Sequence, residues 1–144
     1  MADETENRDE YRLDDQAGYI MRLASQRHAG IFQSLAPAGL TPTQFSTLMR
    51  LHEQGECSQN RLGRLASMDV ATIKGVVDRL LRKGLVVSKP DPYDKRRMLI
   101  SLSEKGVALI PSLHETGHEI TAETLKPLSS SEQRSLLKLL RKLT

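Results

Sequence analysis

The chain has 144 residues, 38% of them hydrophobic and 27% charged, with a formal net charge of +3. Its longest apolar run is the four residues Val107–Ile110, against roughly 18 for a membrane span, and its acidic start lacks the basic and apolar stretches of a secretory signal. A transmembrane protein is therefore excluded, and the single Cys57, which permits no internal disulfide, leads us to expect a cytoplasmic protein.

The charge is regional. Residues 1–15 carry seven acids and two bases, a net of −5, whereas residues 61–97 carry ten bases and four acids, a net of +6. A concentrated positive segment points to a polyanion, most often nucleic acid, although charge alone leaves open an ordinary solvated face. Residues 1–12 are expected to form a disordered acidic tail.

In chain order, Leu13, Ala17, Ile20, Ala24, Ile31 and Leu35 recur at intervals near three and four, with His28 filling the missing place. That spacing predicts one amphipathic helix over 13–35, ended by Pro37 and Gly39. A second helix opens on Thr41 as N-cap with Pro42 in its first position, buries Phe45, Leu48, Met49 and Leu51, and closes at Gly55. From Ser58 two short helical patterns meet at a break. The first turns Leu62, Leu65 and Ala66 inward; the second starts at an Asp69 cap, turns Val70, Ile73, Val76, Val77, Leu80 and Leu81 inward, and stops at Gly84. Helices joined so tightly cross steeply, which is the helix-turn-helix arrangement.

After Gly84 the period changes. Leu85–Val87 read as a strand, PDPYDKRR as a basic turn, and Met98, Ile100 and Leu102 as the returning strand, together a wing. Helices are predicted again over 103–124 and 130–143, separated by Lys126-Pro127-Leu128. Leu136, Leu137, Leu139, Leu140 and Leu143 offer more apolar surface than a terminal helix can bury in its own small domain, and dimerisation would cover it.

This order of elements, with the strings LTPTQFSTL, DVATIKGVVDRLLRKGLV and DPYDKRRMLISLSEKG, resembles the MarR family of winged-helix transcriptional regulators over about residues 13–143. SQNRLGRLASMDVATIKGVVDRL and RLASQRHAGIF are most similar to family repressors of nicotinate and related aromatic-acid catabolism. The resemblance implies a mainly α fold with a small β wing. Residues 38–103 would form the winged helix-turn-helix, and 13–37 with 104–144 an intertwined dimerisation region. It implies a homodimer on a pseudo-palindromic double-stranded DNA operator, with successive major grooves read by the two lobes.

On that frame Ser58, Gln59 and Asn60 begin the first helix of the motif at the DNA. Ala71, Thr72, Lys74 and Gly75 are the exposed positions of the recognition helix. Ala71 and Thr72 suit a thymine methyl and Lys74 suits guanine acceptors, while Gly75 withholds a side chain. Arg79 and Arg82, further along, suit phosphates. Asp94 and Arg96 match the family's D-x-R wing tip, in which a carboxylate steadies a guanidinium for the minor groove, and Arg97 adds phosphate charge. Asp78 is expected to be structural, paired with an arginine.

Family members hold an aromatic carboxylate between lobe and dimerisation helices, so a small aromatic acid is the expected effector. Arg22 lies at a position resembling a family ligand contact, Phe45 and Met49 can supply apolar walls, and His114 and His118, one helical turn apart, can face the same cleft. His28, on the apolar stripe, is expected to be a hydrogen-bonded core residue. The His114/His118 pair lacks the further ligands of a zinc site, so no metal and no cofactor are expected. Cys57 admits a redox-sensing alternative, although a structural thiol is favoured. No phosphate loop, G-x-S-x-G or H-E-x-x-H occurs, so an enzyme is not expected. A winged protein-interaction module remains the other non-enzymatic reading.

Overall fold

The computed structural model describes residues 10–144. Of the acidic tail expected at 1–12, residues 1–9 lie outside the described residues. Helices α1 (Ala17–Leu35) and α2 (Pro42–Gln54) are followed by a short strand β1 (Cys57–Ser58) and by α3 (Gln59–Leu65) and α4 (Val70–Arg82). Strands β2 (Val86–Pro90) and β3 (Met98–Leu102) then lead into the long α5 (Glu104–Leu125) and the final α6 (Ser130–Arg141). The three strands form one antiparallel sheet in the order β1-β3-β2.

Local chemistry sets most boundaries. Thr41 caps α2 through a reciprocal box: its hydroxyl accepts from the Gln44 main chain, and the Gln44 side chain accepts from the Thr41 main chain. Ser129 and Glu132 repeat that box at α6. Single side-chain caps at Ser58, Asp69 and Ser103 start α3, α4 and α5. Gly84 follows α4 at φ 71°, where a Cβ would be disfavoured, and the chain turns there into the sheet.

The core lies under the helix-turn-helix. Leu48, Leu62, Ile73, Leu80, Leu85, Ile100 and Leu113 are each 1% exposed or less, and burial of such side chains contributes about 1.5–3 kcal/mol apiece. Gly63 makes the crossing of α3 and α4 possible, because a Cβ there would stand 3.0 Å from Ile73 Cγ2. The turn between the two helices passes through Ser67 at φ 56°.

Several expectations are corrected. The first helix starts at Ala17 instead of Leu13. Leu13–Asp15 form a separate 3-10 turn because Gln16 is extended, with φ −88° and ψ 130°. Of the stripe expected on that helix, Ile20 remains 51% exposed, and Phe32 is the buried residue of α1. Val70 and Leu81, expected to face inward, are 68% and 37% exposed. Val70 is the first residue of α4 and overhangs the end of the core, while Leu81 lies about 100° round the helix from the buried Leu80. The strand expected at Leu85–Val87 runs instead over Val86–Pro90, since Ser88, Lys89 and Pro90 pair through their main chains with β3 on an outer strand. β1 was not foreseen: its two residues pair with Ile100 and Leu99 by main-chain bonds and carry no periodicity. The last helix ends at Arg141 rather than Leu143.

Candidate nucleic-acid interface

Helix α4 divides by polarity. Ile73, Val76, Val77 and Leu80 are buried, and Ala71, Thr72 and Lys74 stand exposed on the other side of the first turns. Asp69 fixes this end by accepting from the Thr72 main-chain N–H at 2.7 Å, and that bond holds its carboxyl below the ordinary value. Lys74 reaches Asp78 at 3.4 Å, so Asp78 pairs with a lysine and not, as expected, with an arginine. Gly75 is half-buried although it lacks a side chain, because the Arg79 guanidinium folds over it; a Cβ at Gly75 would stand 3.3 Å from Arg79 Nη1. Gly75 thus lets Arg79 lie back toward the start of the helix. Arg82, in the last turn, lines a different cavity with Lys83 and Lys105.

The wing turn, residues 91–97, is organised by two carboxylates. Asp91 Oδ1 accepts from the Tyr93 main chain at 2.8 Å, and Asp94 Oδ1 accepts from the Arg96 main chain at 3.0 Å and from Arg96 Nε at 3.4 Å. The second oxygen of Asp94 faces Arg97 Nε at 3.6 Å. The Arg96 side chain is 93% exposed, so its guanidinium is positioned at the base of the fork and free at its tip. Ser58, Gln59, Asn60, Arg96 and Arg97 line one polar cavity of about 120 Å3, which joins the start of α3 to the wing. Sequence reasoning missed Tyr93, 98% exposed at the wing tip, and the Lys89–Glu56 pair at 3.3 Å that ties β2 to the loop before β1. Tyr93 lies in the turn string PDPYDKRR, which was read for its charge alone, and its place among Pro and Asp residues was the signal that it stands outside the core.

The sequence pattern of the MarR family matches residues 40–98. The chain is 38% identical over 134 residues to the HTH-type transcriptional repressor NicR of Pseudomonas putida, spanning 92% of this chain and 85% of NicR. This chain belongs to the MarR family. Its fold agrees with that of a probable transcriptional regulator from Pseudomonas aeruginosa at a TM-score of 0.89, with 50% identity over 92% of this chain and all of that one. It also agrees with Bordetella bronchiseptica BpsR, whose DNA binding is regulated by 6-hydroxynicotinic acid, at a TM-score of 0.86 and 36% identity over 93% of this chain and 96% of that one. The helix-turn-helix and wing are therefore those of a DNA-binding transcriptional regulator, and the subgroup resemblance to nicotinate and aromatic-acid repressors is supported by the same two relatives.

The residues that the family resemblance marks for an effector fall in two places. Phe45 meets Phe32 edge-on at 5.6 Å between ring centres, and its ring lies over Gly117 of α5, where a Cβ would stand 3.2 Å away. Met49 packs against the core beside it. One to two turns along α2, His52 meets His114 at 5.2 Å between ring centres; His52 was not singled out in the sequence. His118 is exposed on α5 one turn beyond. Arg22 stands apart, with its guanidinium 5.5 Å over the ring of Tyr19 on its own helix, and about 15 Å along α1 from Phe32.

His28 donates to or accepts from Thr124 Oγ1 at 2.8 Å and is half-buried, so it is hydrogen-bonded as expected, but on the wall of a cleft rather than within a core. Arg27, which the sequence did not mark, donates to the main-chain oxygens of Thr124 and Glu123 at 2.7 and 3.0 Å and pins α1 to the end of α5. Among the described residues, no three His, Cys, Asp or Glu side chains are grouped to hold a metal ion. Cys57 is buried, and burial pushes its thiol up against a partly opposing pull from Arg61. A buried thiol raised in this way fits the structural reading of Cys57. No helix among the described residues is long and apolar enough to cross a membrane.

Proposed function

We propose that this chain is a homodimeric, sequence-specific repressor that leaves a pseudo-palindromic operator when a small aromatic carboxylate binds. The observation that carries the DNA reading is Arg96, 93% exposed at its side chain and oriented by Asp94, on a wing that shares a cavity with the start of α3. A planar guanidinium held in this way suits the narrow, electronegative minor groove. Ala71, Thr72 and Lys74 would meet base edges in the adjacent major groove, and Ser58, Gln59, Asn60, Arg79 and Arg97 would set the register on phosphates.

The dimer reading rests on apolar surface left uncovered in one protomer. Ile20, Met21 and Ala24 of α1 and Leu136, Leu137 and Leu140 of α6 line one cleft of about 560 Å3, and Leu139 and Leu143 beside it are 56% and 71% exposed. A second copy would cover this surface, with residues 13–37 and 104–144 as the dimerisation region and 38–103 as the reading head. Two copies also supply the twofold symmetry that a pseudo-palindrome requires.

The effector reading draws on the likeness to BpsR and on the chemistry of Arg22, Phe45, Met49, His114 and His118. Since Arg22 is remote from Phe45 within one protomer, the carboxylate anchor and the apolar wall would be joined by the partner's α1 in the dimer. The test is selection of a duplex from a random pool, followed by mobility shift with and without 6-hydroxynicotinate. A selected sequence with two half-sites, released by the acid, is expected. Binding that shows no preference for sequence would overturn the reading.

A further inference from the structure

The cavity that Arg82 lines, of about 500 Å3, lies where α4 ends and α5 begins, a volume typical of small-molecule sites. Its three cations come from two places in the sequence: Arg82 in the last turn of α4 with Lys83 just after it, and Lys105 in the first turn of α5. Lys83 Nζ donates to the Ala38 carbonyl and Lys105 Nζ to the Lys83 carbonyl, each at 3.0 Å. These carbonyls position the two ammonium groups without neutralising them, and each ammonium keeps further donors. Among the described residues, none of the three cations has a carboxylate within 4.0 Å. The remaining wall is apolar: Leu85 is 1% exposed and Leu109 packs against the core.

We infer that this cavity is a binding site for a small organic anion with a flat apolar body, separate from the Arg22 and Phe45 regions. The body would lie on Ala38, Ala108 and Leu109, over the buried Leu85, while the carboxylate takes hydrogen bonds from Arg82, Lys83 and Lys105. DNA phosphates fit the cavity less well because of its place in the fold. Arg82 is about 18 Å along α4 from Val70, and the Val86–Leu102 pair beside the cavity is the opposite end of the ladder from the Pro90–Met98 pair that closes the wing. A bound anion would instead link the end of the recognition helix to the start of the long α5.

The inference is tested on the 15N-labelled full chain without DNA, so its outcome is independent of the repressor reading. Benzoate is the probe; benzamide keeps the ring but loses the charge, and inorganic phosphate keeps the charge but loses the ring. Benzoate is expected to shift the amide signals of residues 82–85 and 105–109 saturably, with benzamide giving no such shifts and phosphate binding more weakly. Arg82→Met and Lys105→Met should each weaken benzoate about tenfold, and the Arg82 variant leaves both lysine–carbonyl bonds in place. Benzoate shifts that miss this cluster, equal binding of benzamide, or equal binding of phosphate would each overturn the proposal. So would a random-sequence duplex that saturates the same signals in competition with benzoate, since the cations would then be phosphate contacts.

Discussion

Asp94 holds Arg96 twice, accepting from its main-chain N–H at 3.0 Å and from its Nε at 3.4 Å, while the rest of the guanidinium projects from the wing. The carboxylate thus sets the turn and aims the arginine at once. Arg96→Ala should weaken binding to a selected duplex by about tenfold or more, with an unchanged circular dichroism spectrum and melting temperature. Asp94→Ala should weaken it less, because the charge remains but is no longer aimed, and Asp94→Asn least, because one acceptor survives. Mobility-shift titration checks the order, and an Arg96 variant with parental affinity would remove the wing from the interface.

Phosphate contacts and base contacts separate by salt. Arg97→Met should lower the affinity for random and selected duplexes alike and reduce the slope of log affinity against log salt by about one. Lys74→Met should also change which bases are selected, since Lys74 stands on the first exposed turns of α4. Fluorescence anisotropy over a range of salt concentrations distinguishes the two.

Close packing makes two glycines sensitive. A Cβ on Gly106 would collide with the Leu85 carbonyl, which also accepts the Ser103 N–H that seats α5 against the sheet. Main chain cannot yield as a flexible side chain does, so Gly106→Ala should destabilise by about 3 kcal/mol or more. Gly63→Ala, pressed against Ile73 Cγ2 and the Met68 carbonyl, should cost about 1–3 kcal/mol. Urea denaturation measures both, and Gly106→Ala should show the lower midpoint.

The uncovered leucines give a direct test of assembly. Leu137 and Leu140 are 37% and 39% exposed and share a cleft with Ile20 and Met21. Leu140→Glu should shift sedimentation from dimer toward monomer, because a second copy would have to bury an unpaired charge. Tight duplex binding should be lost with it, since one lobe alone cannot engage two half-sites.

Acid dependence follows from the helix caps. Asp69 and Glu132 are held below their ordinary values of 3.8 and 4.5 by hydrogen bonds from the main chains of Thr72 and Ser129. A carboxylate whose folded value is depressed contributes stability above its unfolded value and loses it as pH falls through the folded one. Stability should therefore decline below about pH 4. Asp69→Asn, which keeps a capping oxygen but does not titrate, should flatten part of that decline in melts recorded over the acid range.

The reading head was legible in the sequence because its signals are local. Thr41 and Asp69 cap helices within a few residues of themselves and Ser58 starts another, and Ile73, Val76, Val77 and Leu80 mark one face of α4 by period alone; the Gln44 half of the Thr41 box and the Ser103 cap emerged only in the structure. The D-x-R spacing likewise places Asp94 and Arg96 within reach on any tight turn. The effector region was less legible because its partners are distant in sequence. Phe45 over Gly117, His52 against His114, and Arg27 on the carbonyls of α5 depend on how α1, α2 and α5 lie together. Periodicity named an apolar face on α1 and on α6, and the α6 leucines already exceeded what one small domain can bury, yet only the packing joined the two faces in a single cleft.

The charge distribution sets the same limit. The sequence by itself determined that ten bases are concentrated between residues 61 and 97, and the helix and turn signals there placed most of them on a recognition helix and a wing. Only the tertiary structure decided how they are divided. Arg96 and Arg97 gather about Asp94 and share a cavity with the start of α3, whereas Arg82 and Lys83 turn away to join Lys105. The physical reason is that charge follows composition, while the field a ligand meets follows which side chains the packing of separate elements brings together.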